Sequence, residues 1–360
     1  MADPQSPWDV PPTWQPALDA ARSGGTLVLL GGIDSGKSTL AAILANEAHR
    51  AGRAAAVVDA DIGQSSIGPP ACVGMARLTA EILSLDELRP EAIDFVGACS
   101  PGRHLLQCTT SAGAMVEAAS RGAETLIVDT TGLISGAFAR ALKGAKIRML
   151  DPDFVIAVQA EDEVDPLVAH YRTRSRPKVL RLPVSRAVKE RSREERASHR
   201  QRKFAAYFAG GKTSELAWQE APVENSLWTS GDPAPGHIRA HAEECVACEV
   251  LYAERGPDGL FLIVSGQADK EGLLTLGDGF GGNASAIEAA ALDHLLVGIL
   301  GQRGETLGLG ILEELDYRRR RSAIFTPLTD LQAARGLRLG SIRIARDGTQ
   351  LGTSYLSAGG

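Results

Sequence analysis

The sequence has few cysteines and no long apolar run, and both shortages restrict what the protein can be. Five cysteines in 360 residues are too few, and odd in number, for a disulfide framework, which favours a reducing, cytoplasmic location. No run approaches the ~20 apolar residues that cross a bilayer. The first residues lack a basic region followed by an apolar stretch, so no secretory signal and no membrane partner are predicted.

Aromatic side chains are also scarce, at 5 %, so the sequence offers no readable platform on which nucleobases would stack. What is present is the composition of a folded globular protein, with 44 % hydrophobic and 23 % charged residues, which excludes a disordered chain. Domains usually hold about 100–200 residues, and the length therefore predicts two compact units or one α/β unit with a substantial additional segment.

Cationic side chains are concentrated in one part of an otherwise acidic chain. The net charge is −6, yet residues 170–203, which we call the basic segment, carry thirteen Lys and Arg against three Glu, a local charge of +10. The remaining 326 residues therefore carry −16. Such asymmetry is typical of a contact with a polyanion, and the alternative is a solvated helix face.

Residues 25–215 alternate short apolar runs with stretches of helical length. Thr26–Leu30 and Thr125–Val128 are rich in Leu, Ile and Val, whereas Lys37–Arg50 and Leu105–Ser120 have the length of helices. Apolar strands that alternate with helices predict an α/β fold with a mostly parallel sheet covered on both faces. This range is the predicted first domain.

The two ends of the chain do not show this alternation of apolar runs and helical stretches. Residues 1–24 contain five prolines without clear periodicity, which predicts an extended lead-in. Residues 222–360 contain short apolar runs separated by Gly, Asp-Gly or Arg-Gly turns. Regular short strands with turn signals predict a smaller, β-rich C-terminal domain.

The strongest motif is Gly-Gly-Ile-Asp-Ser-Gly-Lys-Ser, which matches G-x-x-x-x-G-K-[ST] in full. It follows an apolar strand and opens a helix, the context that distinguishes a phosphate-binding loop (P-loop) from a chance glycine-rich turn. Backbone N–H groups of such a loop surround a phosphate, Lys37 reaches the β- and γ-phosphates, and Ser38 ligates Mg²⁺. The residues expected to bind the nucleotide are Gly31, Gly32, Ile33, Asp34, Ser35, Gly36, Lys37, Ser38 and Thr39.

Carboxylates follow two further apolar strands. Asp59 and Asp61 follow one of them, with Gln64 close behind, and Asp129 ends another. Because ligands of open α/β sheets lie at the carboxyl ends of strands, these acids are expected near the P-loop. One of Asp59 and Asp61 can hold the metal through water while the other accepts a proton from an attacking hydroxyl. Asp129 is the expected second anchor of Mg²⁺, and its alternative role is a helix cap.

The basic segment contains candidates for a lid over the P-loop, near residues 185–208. Arg193, Arg196 and Arg200 are spaced i, i+3 and i+7, so they share one face of a helix. Arginines in a lid would neutralise the γ-phosphoryl charge in a transition state or grip a substrate phosphate. Arg172, Arg174 and Arg176 are expected to lie away from the P-loop and to attract a polyanion electrostatically.

Together these motifs resemble those of the polynucleotide 5′-hydroxyl kinase family, which includes archaeal RNA kinases and the kinase subunit of the eukaryotic pre-mRNA cleavage factor. The similarity extends over roughly residues 25–345 and is far more specific than the P-loop alone. The segments that carry it are the P-loop, Asp59–Pro70, Phe95–Pro101 with His104, Val128–Gly136, the Arg-rich lid ending in Tyr207-Phe208, and Leu296–Leu300 with Leu307–Ile311.

The resemblance implies roles for individual residues in the first domain. Lys37 and Ser38 match the family's nucleotide and metal groups. The family's D-x-D-x-x-Q motif is matched by Asp59, Asp61 and Gln64. These residues would bind the triphosphate, its metal ion and the reacting hydroxyl.

The arginine-rich lid and the residues expected to bind the acceptor substrate match the family's motifs less closely. Arg196 and Arg200 fit the family's R-x-x-x-R lid, and several neighbouring arginines satisfy the same register. The segment Thr130-Thr-Gly-Leu133 stands where eukaryotic members have T-x-G-W, in which the tryptophan stacks on the terminal base. Leu133 has no ring to stack. His104 lies where substrate is expected, and its alternative role is a solvated loop residue.

These residues predict an enzyme that transfers the γ-phosphoryl group of ATP or GTP to the 5′-hydroxyl end of RNA, and possibly DNA, with Mg²⁺ as cofactor. The alternative is a non-catalytic, NTP-bound scaffold subunit of an RNA-processing assembly. A switch GTPase is disfavoured because the chain contains no N-K-x-D run. The sequence does not define an oligomeric state. Expected catalytic residues are Lys37, Asp61, Arg196 and Arg200; metal ligands are Ser38 with Asp59 or Asp129; substrate-binding residues are Gln64, His104, Thr130, Thr131, Gly132 and Arg193.

Overall fold

The computed structural model describes residues 8–354. Residues 1–7 of the predicted lead-in and residues 355–360 of the predicted C-terminal domain therefore lie outside the described part of the chain. Two compact units are present, the first ending at Lys203 and the second beginning at Phe204. The prediction of two units is in agreement with this division, although the predicted boundary at residues 215–222 lies later in the chain.

The first unit is built on a seven-stranded sheet with the strand order β4-β3-β2-β5-β1-β6-β7. Its strands are β1 (Gly25–Gly31), β2 (Ala55–Ala60), β3 (Cys72–Arg77), β4 (Ala92–Phe95), β5 (Thr125–Thr130), β6 (Phe154–Gln159) and β7 (Lys178–Pro183). Its helices are α1 (Gln15–Ser23), α2 (Lys37–Arg50), α3 (Leu105–Ser120), α4 (Gly136–Leu150), α5 (Asp165–Val168) and α6 (Arg193–Phe208), the last of which runs on into the second unit.

The sheet is mostly parallel, as predicted. Strands β2, β5, β1, β6 and β7 are parallel neighbours, whereas β3 and β4 add an antiparallel edge. Successive side chains of a strand point to opposite faces, and β1 shows this clearly. Leu27 and Leu29 pack with helices α1 and α2, while Val28 and Leu30 pack with α3 and α4. Both faces are therefore covered, which explains the continuous apolar runs.

The predicted extended lead-in is wrong over residues 12–23. A 3₁₀ turn at Pro12–Trp14 is followed directly by α1, which buries Ala17, Leu18 and Ala21. The prolines misled the prediction because Pro12 and Pro16 occupy first-turn positions. Proline is tolerated there, since its missing N–H would have no helical partner.

Strand β7 divides the basic segment into two parts. We call residues 170–183 the early part and residues 184–203 the late part. The strand was not predicted because charged residues such as Lys178 and Arg181 occupy it, and it forms the exposed edge of the sheet. Edge strands commonly carry charged side chains.

The second unit is β-rich, as predicted, and contains two sheets. Their strand orders are β12-β11-β10-β9 and β17-β16-β13-β14-β15-β8. The strands are β8 (Lys212–Ala217), β9 (Asp232–Pro233), β10 (Val250–Gly256), β11 (Gly259–Val264), β12 (Asn283–Glu288), β13 (Leu295–Leu300), β14 (Thr306–Asp316), β15 (Arg321–Thr326), β16 (Gly336–Ile344) and β17 (Gln350–Thr353). The helices are α7 (Gly236–Val246), α8 (Lys270–Gly279) and α9 (Ala289–Leu292).

Two features of the second unit differ from expectation. Strand β8 pairs with β15, so residues 212–215 belong to this unit and not to the predicted first domain. Helices α7 and α8, which were not predicted, bury Ile238, Ala242 and Leu276 together with apolar residues of β10 and β11. Among the described residues, no helix combines the length and apolar character needed to span a bilayer.

Candidate active site

A cleft of about 1030 Å³ opens in the first unit where strands β1, β2 and β5 end. Its walls come from the loops that follow these strands and from the late part of the basic segment. In open α/β sheets this edge is where ligands bind.

The P-loop links β1 to α2 and forms the floor of the cleft. Lys37 is 6 % exposed, and its Nζ donates to the Gly32 carbonyl at 2.6 Å. Gly36 has φ 81°, a left-handed conformation that glycine adopts without strain. A side chain at Gly31 would lie 2.6 Å from Ser35 Oγ. Of the predicted nucleotide-binding residues, those from 33 to 39 line the cleft, and the two preceding glycines lead into it.

Ser38 and Asp129 form the candidate metal site. Ser38 Oγ donates to Asp129 Oδ2 at 2.5 Å, and Asp129 is 1 % exposed. Within residues 8–354, Asp129 Oδ1 is buried without a hydrogen-bond partner. Burial raises the pKa of Asp129. A hydroxyl beside a carboxylate with an unused oxygen fits Mg²⁺, which prefers oxygen ligands.

Asp59 lies directly opposite Asp129 in the β2–β5 register, but its hydrogen bonds point to a different role. The backbone N–H groups of Ser66 and Ile67 donate to Oδ2 at 2.6 and 3.0 Å, and that of Asp61 donates to Oδ1 at 3.0 Å. Asp59 is 1 % exposed, and burial raises its pKa, with the neighbouring charge of Asp129 acting in the same direction. This carboxyl group organises the loop after β2.

Asp61 lines the cleft together with Gln64. The backbone N–H groups of Gly63 and Gln64 both donate to Asp61 Oδ1, at 3.0 and 3.1 Å, which fixes the carboxylate at the loop. The side chain of Gln64 donates to the Gly63 carbonyl at 2.6 Å and, more weakly, to the Arg196 carbonyl at 3.4 Å. In the described part of the chain its Oε1 is buried without a partner.

The late part of the basic segment crosses the P-loop and contacts it at Asp34. Arg196 donates to Asp34 Oδ2 at 3.0 Å, and the backbone N–H of Arg191 donates to the same oxygen at 3.0 Å. Arg196 and Arg200 line the cleft, whereas Arg193, on the same helix α6, is exposed and does not belong to the cleft lining. The helix face predicted from the arginine spacing is therefore only partly directed at the cleft.

The predicted substrate-binding residues fall into two groups. Thr131 and Gly132 line the cleft, and a side chain at Gly132 would lie 2.7 Å from the Ile33 backbone N. Thr130 lies behind this turn, fully buried. His104 precedes α3 outside the cleft lining, half-buried, and burial lowers its pKa.

Two buried lysines behind the cleft were not predicted. Lys143 and Lys146 of α4 are 0 % and 1 % exposed, and burial lowers the pKa of both. Sequence reasoning treated the helix only as a cover for the sheet. The available signal is their i, i+3 spacing beside Leu142 and Ile147, which places two cations on the apolar face.

The early part of the basic segment does not line the cleft. Arg172 donates to Asp165 at 2.5 Å, and the Arg174 guanidinium lies 5.3 Å from the centre of the Tyr171 ring. Arg176 donates to the Asp151 carbonyl at 2.6 Å, in the loop that precedes β6. Since the P-loop follows the other end of the parallel sheet, Arg176 lies at the end opposite the cleft.

A glycine-rich loop between a buried strand and a helix, a Ser–Asp pair beside it and arginines above it define a P-loop nucleotide-binding protein. Residues 31–210 match the model of a family described as mRNA cleavage and polyadenylation factor CLP1 P-loop. The protein belongs to this family.

Curated relatives include archaeal proteins named polyribonucleotide 5′-hydroxyl-kinase. That of Methanocaldococcus jannaschii is 33 % identical over 329 residues, which cover 91 % of this chain and 89 % of the relative. That of Pyrococcus furiosus is 29 % identical over 326 residues, with the same two coverages. A solved chain in a Clp1p–Pcf11p complex superimposes with a TM-score of 0.60 at 14 % identity, covering 92 % of this chain and 78 % of that chain. The protein therefore shares its fold with this solved chain.

Proposed function

We propose that the protein is a polynucleotide 5′-hydroxyl kinase, which transfers the γ-phosphoryl group of a nucleoside triphosphate to the 5′-hydroxyl of RNA. The observation that carries the proposal is the convergence of the P-loop, Asp61 and two arginines of α6, Arg196 and Arg200, on one cleft. The names of the archaeal relatives support the same activity.

The residues of the cleft match the demands of phosphoryl transfer. The reaction forms a bond between the 5′-oxygen and the γ-phosphorus and breaks the bond to the leaving diphosphate, so positioning and charge neutralisation dominate. Lys37 is the lysine of the P-loop motif, which would contact the β- and γ-phosphates. Asp61, whose carboxylate lines the cleft, accepts the proton of the attacking hydroxyl.

Mg²⁺ would be held by the Ser38 hydroxyl with the Asp129 carboxylate behind it. The short Ser38–Asp129 hydrogen bond and the unpartnered Asp129 Oδ1, among the described atoms, support this assignment. Bound there, the ion supplies positive charge for the triphosphate oxygens. Asp59 is the weaker candidate because backbone N–H groups already occupy both of its oxygens.

Arg196 and Arg200 act on the charge of the transferring group. Arg196 is held by Asp34 of the P-loop itself, which supports a position for its guanidinium beside the transferring phosphoryl group. A bidentate donor at this position neutralises charge that develops in the transition state.

The donor is ATP or GTP, and the acceptor is the 5′-hydroxyl end of RNA, with DNA as a second acceptor, in the cytoplasm. Incubation with γ-labelled ATP or GTP and 5′-hydroxyl RNA or DNA oligonucleotides of one sequence tests each choice. Label is expected on RNA, and 5′-phosphorylated oligonucleotides serve as the control because they have no free hydroxyl. Nucleotide binding without label on either acceptor would contradict the proposal and favour a scaffold role.

A further inference from the structure

Helix α4 buries two lysines behind the cleft, and lysine side chains are almost never fully buried without a partner. Lys143 and Lys146 are 0 % and 1 % exposed. Removing an amino group from water is costly unless hydrogen bonds replace the lost hydration. The two residues differ sharply in what replaces it.

Lys143 is fully engaged by one turn of the chain. Its Nζ lies 2.8 Å from Thr130 Oγ1, 2.5 Å from the Thr131 carbonyl oxygen and 3.2 Å from Thr131 Oγ1. The Thr130 hydroxyl donates in turn to the Leu29 carbonyl at 2.6 Å. A protonated lysine has three N–H donors, one for each of these oxygens. A neutral one donates to Thr130 Oγ1 and the Thr131 carbonyl and accepts from the Thr131 hydroxyl, so all three contacts are served in either state.

This turn forms part of the cleft on its other side. Thr131 and Gly132 line the cleft, and Gly132 packs so closely on Ile33 of the P-loop that no side chain fits between them. The turn also begins directly after Asp129, whose carboxylate accepts the Ser38 hydrogen bond. Any shift of the turn therefore moves the part of the cleft wall formed by Thr131 and Gly132 relative to the P-loop.

Lys146 provides an internal comparison. Its Nζ lies 3.5 Å from the Ala60 carbonyl, at the limit of a hydrogen bond. It shares the helix, the residue type and the burial of Lys143 but lacks the short contacts to the turn.

We propose that Lys143 is a positioning residue for phosphoryl transfer, whose amino group fixes the Thr130–Gly132 turn against the P-loop. The expected effect on kcat rests on the proposed function, because it requires that the protein transfers a phosphoryl group. Misplacement of reacting groups by ~1 Å can cost about 10²-fold in rate. Loss of the amino group should therefore affect kcat more than nucleotide binding.

The test compares Lys143→Met with Lys146→Met, two replacements that each remove one buried amino group from the same helix. We expect Lys143→Met to lower kcat about tenfold or more with KM for the nucleotide within about threefold of wild type. Lys146→Met should retain kcat within about threefold. Wild-type kcat in Lys143→Met, or equal losses in the two variants, would overturn the inference.

Two further measurements keep the test decisive. If Lys143→Met does not fold, Thr130→Val takes its place in the test. It removes the hydroxyl that contacts Lys143 and the Leu29 carbonyl, with little change of shape. This variant should also lower kcat, and an unchanged kcat would overturn the inference. Hydrogen exchange at the Thr131 and Gly132 amides should accelerate in Lys143→Met and not in Lys146→Met. Hydrogen exchange can be measured whether or not the protein is active. A wild-type protein that transfers no phosphoryl group would therefore contradict the proposed function, while the exchange rates would still test the role of Lys143 in fixing the turn.

Discussion

The cleft and the early part of the basic segment are both rich in charge, but their charges are held in different ways. Lys37, which lines the cleft, and Asp129, which lies behind Ser38 of the lining, are almost completely buried. Asp129 keeps one oxygen without a partner among the described atoms. In the early part, Arg172 and Arg176 are half-exposed and paired with aspartates. Buried charge with incomplete pairing costs free energy and persists where function requires it.

The comparison shows that charge density along the sequence does not locate a binding surface by itself. Exposed ion pairs contribute little to stability, and paired cations attract a polyanion less than free ones because their charge is already compensated. The late part is different because Arg196 and Arg200 line the cleft, and the aspartate that pairs with Arg196 is Asp34 of the P-loop itself. Four sets of substitutions test this contrast, from the largest expected effect to the smallest.

Lys37→Ala should have the largest effect, a loss of about 10³-fold in kcat/KM, because no neighbouring group replaces its charge between the phosphates. Steady-state kinetics with labelled nucleotide measures it. Thermal unfolding of the variant serves as the control for folding. Activity within a few-fold of wild type would contradict the assignment of the nucleotide site.

Asp61→Asn should lower kcat about 10²-fold while nucleotide affinity stays near wild type, because the amide keeps the shape but accepts no proton. Asp59→Asn is the matched control, since that side chain supports the loop and does not line the cleft. Its main effect should be a loss of stability of about 1–3 kcal/mol, from amide hydrogens facing backbone N–H groups. If Asp59→Asn loses kcat and Asp61→Asn does not, the two roles are reversed.

Arg196→Ala and Arg200→Ala should lower kcat about tenfold or more, because their interaction strengthens in the transition state. Arg193→Ala, on the same helix and outside the cleft lining, should stay within about twofold. Kinetics across a salt series separates the possibilities. A change confined to KM in both variants would assign them to substrate binding alone.

Replacing Arg172, Arg174 and Arg176 together by Ala should have the smallest effect on catalysis, with KM for the oligonucleotide and its salt dependence within about twofold of wild type. This expectation reverses the one drawn from sequence, because the structure places these arginines outside the cleft. A raised KM with a flatter salt dependence would show that the early part contacts the polynucleotide after all.

Local sequence determined most of the first unit. Strand β1, the P-loop and helix α2 follow from an apolar run, a glycine-rich motif and a helical pattern, all within 26 consecutive residues (25–50). The approach of Asp59 to Asp129 was also predictable, because parallel neighbours bring their carboxyl ends to one edge. Helix α1 was missed because the prolines around it indicated an extended segment, whereas Pro12 and Pro16 occupy the first turns of the 3₁₀ helix and of α1.

The tertiary structure alone decided which charges meet. Asp59 and Asp61 are the same residue type and lie two positions apart in the sequence. Nevertheless, backbone N–H groups surround the carboxylate of Asp59, whereas Asp61 lines the cleft. The basic segment is continuous in sequence, yet β7 separates its two parts. Lys143 reaches Thr130 across 13 residues because α4 packs on the sheet beside β5. Motifs are local and can be read along the chain, whereas burial and pairing depend on neighbours that only the folded chain brings together.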